Sequence, residues 1–150
     1  DPPVVAIDLS ATLREAVADL RADYPDADVT LSLPESASVD AVGRLGTALT
    51  ELLTNAVVHN DADTPSVAVT VEQGPETTTV EIADDGPGIP DVEVDVLTGT
   101  TEETALAHGQ GLGLWLVYLI VRRSGGTVTF DDAPDGGSVV TIALRTAGAD

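Results

Sequence analysis

The chain contains no cysteine. That excludes disulfides and thiolate metal sites and leaves no redox compartment to be read from cysteine usage. Lysine is missing as well: all six basic residues are arginine, at positions 14, 21, 44, 122, 123 and 145. No apolar run reaches the ~20 residues needed to cross a bilayer, and the run over residues 112–121 reads as core. A secretory signal pattern is also lacking. The first residue is Asp1 rather than Met, so the chain reads as an excised domain or a processed product.

What is present fits one folded domain over residues 1–150. The chain has 150 residues, 43% of them hydrophobic, too many for a disordered chain. The 26 acidic residues against six basic ones give a formal charge of −20. They are spread along the whole chain rather than gathered in a tail. Such a surface repels nucleic acid and anionic membranes, so neither is an expected partner. Dense carboxylates without lysine suggest adaptation to the high-salt cytoplasm of an extreme halophile, because at ~1 M salt the Debye length falls to about 3 Å.

Hydrophobic periodicity gives the outline. Residues 4–9 read as a strand, and Ser10 as the N-cap of a helix over 11–23 with Leu13, Val17 and Leu20 on one face. Val29, Leu31 and Leu33 alternate in a second strand that ends at Pro34. Asp40 opens the next helix, whose apolar face carries Val42, Leu45, Leu49, Leu52, Leu53 and Ala56. Residues 66–71 and 77–82 form a hairpin around Gln73-Gly74-Pro75. A long irregular stretch, 84–110, follows, of the kind that more often serves as a functional lid than as a plain connection. A helix over 111–124 and a hairpin of 127–130 with 138–144 close the chain. The class is α/β, an α+β two-layer sandwich: a mixed, mostly antiparallel sheet with about three helices on one face.

Three segments carry the chemistry. Glu51, Asn55 and His59 recur every four residues and share one helix stripe at the edge of its apolar face. A carboxylate and an amide one turn apart suit a hard cation such as Mg²⁺, or a positioned water; a solvated helix face is the plainer reading. In Glu81-Ile82-Ala83-Asp84-Asp85-Gly86-Pro87-Gly88-Ile89-Pro90, a strand runs into two aspartates and a Gly-Pro-Gly turn. A carboxylate there can accept a hydrogen bond from an amino group such as that of adenine. Gly109-Gln110-Gly111-Leu112-Gly113 then opens a helix, where free backbone N–H groups and the dipole favour phosphate. It is not a P-loop, since Leu114-Trp115 stands where Lys-Ser/Thr is needed, nor a dinucleotide loop, since no strand precedes it.

Taken in this order, the three segments resemble the N, G1 and G2 boxes of the GHKL ATPase superfamily. The resemblance covers nearly the whole chain and is strongest to the ATP-binding catalytic domain of sensor histidine kinases. It implies the Bergerat fold and ATP with Mg²⁺ as ligands. It assigns Asn55 to Mg²⁺, Glu51 to orienting the attacking group or acting as general base, and Asp84 to the adenine amino group, with Gly86, Gly88 and Ile89 shaping the base pocket. Gly109, Gln110, Gly111, Leu112 and Gly113 would cradle the phosphates. His59, Leu97 and His108 would border the nucleotide, and Ser138 or Thr141 would reach the adenine through water. The implied activity is donation of the γ-phosphate to a histidine on separate dimerisation helices of a parent kinase, with a response regulator served indirectly, in the cytoplasm. Neither His59 nor His108 lies on such a helix, so the isolated chain is not expected to phosphorylate itself.

Three features depart from the histidine kinase pattern. Val58 stands where a basic residue is usual, with His59 the nearest substitute or else a buried or capping histidine. An aromatic box is lacking, with only Leu97 before a Thr-rich segment over 98–104. That segment carries no Lys or Arg, leaving His108 and, further on, Arg122 and Arg123 as candidate cations, the last two more simply read as surface groups. These departures keep open a nucleotide-binding module without transfer; a serine kinase of the anti-sigma-factor type, which shares the same boxes, is a further alternative.

Overall fold

A computed structural model describes residues 3–58, 60, 63–86, 112–133 and 136–149. The elements run β1 (Val4–Asp8), α1 (Leu9–Asp23), β2 (Asp28–Ser32), β3 (Ser38–Val42), α2 (Leu45–Val58), β4 (Ser66–Gln73), β5 (Thr77–Asp84), α3 (Leu112–Arg123), β6 (Thr127–Asp132) and β7 (Ser138–Arg145). Five strands form the main sheet in the order β2-β4-β5-β7-β6; β2 runs parallel to β4 and every other pair is antiparallel. β1 and β3 make a separate antiparallel pair.

The strand alternation decides which face is covered. Val67, Val69 and Val71 of β4, Val80 and Ile82 of β5, and Val140, Ile142 and Leu144 of β7 are buried, while their neighbours in sequence point away. The three helices supply the other side of the core. α2 packs against both α1 and α3 and reaches β4 and β5 beneath. Its Leu45, Ala48, Leu49, Leu52, Leu53, Ala56 and Val57 are all buried, which leaves Glu51 and Asn55 half-buried at the margin of that face. The expected sandwich, helices on one face of a mixed and mostly antiparallel sheet, is the fold that forms.

Two local expectations are corrected. The cap of α1 is Asp8, not Ser10: Asp8 Oδ1 accepts from Ser10 N at 3.1 Å and Ala11 N at 3.5 Å, so the helix starts at Leu9. The same oxygen accepts from Ala37 N at 3.0 Å. Ser10 lies inside the helix, fully buried, and its hydroxyl has no partner among the described residues. Asp40 does not open a helix. It sits in the middle of β3, paired with Ala6, and the helix begins at Leu45.

β3 is tied to the rest of the molecule at both ends. Val39 bridges to Thr146 beyond β7. Val42 N donates to Ser124 Oγ at 3.0 Å, and that hydroxyl donates to Ile120 O at 2.8 Å inside α3.

Candidate functional site

The ends of β5 and β7, the turn after β5, and the facing parts of α2 and α3 carry the residues singled out by sequence. β5 ends at Asp84, directly opposite Ser138 at the start of β7. Ser138 is buried, and its Oγ donates to Asp84 Oδ2 at 2.7 Å. Gly86 N donates to the other oxygen, Oδ1, at 2.9 Å. Among the described residues, the half-buried carboxylate is therefore held by one donor on each oxygen. A carboxylate has about four acceptor positions, so capacity remains for an incoming amino group.

The backbone closes tightly around this carboxylate. Gly137, at φ +90°, lies against Asp84: a β-carbon there would overlap the Asp84 carbonyl oxygen and stand 2.9 Å from the carbonyl carbon. Only glycine meets both demands, a left-handed backbone and no side chain. Gly86 is buried, and a β-carbon on it would come within 3.2 Å of Asp84 Oδ1 and 3.5 Å of Asn60 Cα.

The α2 stripe faces α3. A β-carbon on Gly113 would overlap Glu51 Oε1 and stand 2.8 Å from Glu51 Cδ, so the missing side chain is the space that the carboxylate fills. Asn55 follows one turn later on the same stripe, half-buried. Val58, in the position where a basic residue was sought, is 51% exposed.

Thr141 is parted from this group. It pairs with Glu81 and lies three residues beyond Ser138, hence on the opposite face of the sheet. Between the two hydroxyls left open by sequence, Ser138 is the one beside Asp84. Arg122 and Arg123 are exposed in the last turn of α3, with Arg122 over the Tyr118 ring at 6.0 Å. Nine residues at ~1.5 Å each put Arg122 about 14 Å along the helix from Gly113, so they are surface groups rather than cations at the helix N-terminus. His59, Gly88, Ile89, Leu97, His108, Gly109, Gln110 and Gly111 lie outside the described residues, as does the side chain of Leu112, the first residue of α3.

Sequence reasoning passed over Asp85 and Asn60. Asp85 Oδ1 accepts from Asn60 Nδ2 at 2.6 Å and from Ser66 N at 3.0 Å. The Ser66 N–H, followed by the Asn60 amide, holds the Asp85 carboxyl below the ordinary carboxylate range. The pair of aspartates ending a strand was the available signal, but it does not say that Asp84 is the half-buried one and Asp85 the exposed one.

Known proteins share this fold. Residues 41–148 match the family described as histidine kinase-, DNA gyrase B- and HSP90-like ATPase. The probable sensor histidine kinase TcrY of Mycobacterium tuberculosis is 34% identical over 136 residues, covering 85% of this chain and 28% of the relative. The sensor-type histidine kinase PrrB of the same organism is 33% identical over 144 residues, covering 93% of this chain and 32% of the relative. The chain thus spans about three-tenths of the length of these curated relatives. The crystal structure of the ATP-binding domain of PrrB from M. tuberculosis superposes with a TM-score of 0.76 at 26% identity, covering 97% of this chain and 98% of that one. With residues 41–148 matched to that family, the chain belongs to the histidine kinase-, DNA gyrase B- and HSP90-like ATPases.

Proposed function

We propose that this chain binds Mg-ATP and acts as the catalytic domain of a cytoplasmic sensor histidine kinase. The observation that carries the reading is the Asp84 carboxylate, fixed by Ser138 Oγ and Gly86 N at the end of β5. Fixed in this way, Asp84 accepts the amino group of adenine and repels the carbonyl that guanine presents at the same place. The first turn of α3 offers its backbone N–H groups to the phosphates. Gly109, Gly111 and Gly113 extend that cradle.

The donor set suits magnesium. That ion keeps several waters and takes one or two protein oxygens beside substrate phosphates. Asn55 supplies such an oxygen, and no cluster of three His, Cys, Asp or Glu side chains among the described residues offers an all-protein cage. Asn55 would hold the ion, whose contribution is to neutralise phosphate charge. Glu51 orients the attacking imidazole of a phosphoacceptor histidine and takes its N–H proton as the N–P bond forms and the bond to ADP breaks. The protein's share is positioning and charge stabilisation. The acceptor histidine belongs to separate helices, and a response regulator then receives the phosphoryl group.

A second reading, nucleotide binding without transfer, draws on Val58. This exposed valine ends α2 where a cation would face the phosphates. Calorimetry and a transfer assay separate the two. The chain should bind Mg-ATP and discriminate against Mg-GTP, and Asp84→Asn should weaken ATP by ~10-fold or more through loss of an acceptor to a buried amino group. Unchanged affinity in that variant would end the adenine assignment. Phosphohistidine on cognate phosphoacceptor helices supports the kinase, and ATP binding without it supports the module.

A further inference from the structure

Asp85 stands where three segments of the site meet. α2 ends at Val58, and Asn60 N donates back to Val57 O at 3.2 Å. The Asn60 side chain then reaches Asp85 Oδ1 at 2.6 Å. The start of β4 joins the same residue twice: Ser66 N donates to Asp85 Oδ1 at 3.0 Å, and Asp85 N donates to Ser66 O at 3.3 Å. On the far side of Asp85, Gly86 N holds Asp84 Oδ1 at 2.9 Å, and Asn60 packs over Gly86 closely enough that a β-carbon there would sit 3.5 Å from both Asn60 Cα and Cγ.

The geometry points to Asp85 as a positioning residue of the nucleotide site: by gripping Asn60 and Ser66, it fixes the exit of α2 over the Asp84–Gly86 turn and so sets the α2 stripe against the Asp84 carboxylate. The inference rests on the Mg-ATP reading above and deepens it. A ligand that spans from adenine to the triphosphate must engage Asp84 and Asn55 together, and these sit on two elements far apart in sequence. Without a tie, each element reaches its best distance only after binding, and that ordering weakens affinity. Asp85 supplies the tie without touching the nucleotide. Its carboxylate is a good choice because a charged acceptor strengthens both hydrogen bonds. The lowered Asp85 pKa is consistent with that load.

The test is calorimetry of Mg-ATP binding with melting temperatures measured alongside. Asp85→Ala should weaken Mg-ATP by about tenfold, through loss of both hydrogen bonds that grip Asn60 and Ser66. Asp85→Asn keeps an Oδ1 acceptor for both donors and should restore affinity to within about twofold. Asp8→Ala removes the α1 cap, outside the site, and should lower the melting temperature without weakening Mg-ATP. Equal affinity in Asp85→Ala and wild type overturns the inference. So does an Asp85→Asn chain as weak as Asp85→Ala, because charge rather than the grip would then matter. An Asp8→Ala chain weakened as much as Asp85→Ala would mean general loosening and overturns it too. If wild type binds no Mg-ATP, the nucleotide reading itself falls; if wild type binds and Asp85→Ala binds equally well, only this inference does.

Discussion

Glu51 and Gly113 occupy one another's space: the carboxylate on α2 fills the volume that a side chain on the first turn of α3 would need. The two residues lie 62 positions apart, on separate helices of the sandwich. A carboxylate against the N-terminal turn of a helix sits in a favourable field. The glycine is thus explained by its neighbour as well as by any phosphate.

Gly113→Ala should therefore separate stability from chemistry. The first atoms to yield are the far end of a flexible side chain, so the fold adapts cheaply. Alanine also favours the helix by up to about 1 kcal/mol over glycine. The melting temperature is expected to hold or rise, by about 2–4 °C per kcal/mol in a domain of this size. Phosphoryl transfer to phosphoacceptor helices should fall by at least ~10-fold as Glu51 is displaced, since small misplacements of a catalytic group are costly. In a Glu51→Ala background the same substitution should cost no further transfer. A calorimetric and kinetic double-mutant cycle reads both, and additive losses would dissociate the two residues.

Ser124 offers a purely structural contrast. Its buried hydroxyl is the acceptor for Val42 N and thereby joins α3 to β3. Ser124→Ala strands that N–H in a buried place, at a cost of about 1–3 kcal/mol. Thermal unfolding should show the loss, while Mg-ATP affinity stays within about twofold of wild type.

Acid unfolding has a defined contribution from Asp8. The Ala37 N–H first, helped by the Ala11 and Ser10 N–H groups and the Arg14 charge, holds its carboxyl below the ordinary value against the opposing effect of burial. A depressed folded pKa means that the unfolded chain binds the proton more tightly. The stabilisation is complete above the unfolded value, about 4, and is lost as pH falls through the folded one. Wild type should lose melting temperature more steeply than Asp8→Asn below about pH 4. Coinciding slopes would refute this. Protonation of the other carboxylates relieves repulsion in both chains, so the difference between the two slopes carries the information.

Salt should stabilise this protein. With 26 acidic residues and a net charge of −20, self-repulsion is the dominant long-range term. Raising KCl from ~0.1 M to ~1 M shortens the Debye length from about 10 Å to about 3 Å. The melting temperature should rise over that range and then level off. A flat response would remove the halophile interpretation.

The sandwich was legible because α2 and the β4–β5 and β6–β7 hairpins have strong periods of their own. β3 was not, because Asp40 resembles a helix cap when read locally; its strand character comes from pairing with β1, a partner more than 30 residues away. The same holds for Asp8, whose neighbour Ser10 is an equally good cap by type and loses only because Ala37 also needs Asp8 Oδ1. In the site, Asn55, Asp84 and Gly113 were marked by residue type and spacing. The choice of Ser138 over Thr141 required the β5–β7 register, and the role of Asp85 required knowing that Asn60 and Ser66 converge on it. Sequence showed the chemical groups; long-range register decided their company.

The seat of Gly137 on the Asp84 backbone gives the β6–β7 hairpin an unusual constraint. Hairpin tips ordinarily tolerate insertions and foreign tags. Here Gly137 rests on the Asp84 backbone, with Ala133 N closing onto Gly137 O at 3.0 Å. Lengthening the tip by one residue is expected to disturb that seat and, with it, the Ser138–Asp84 hydrogen bond. The hairpin thus works as a gauge block: its length, more than its composition, sets how Ser138 meets Asp84.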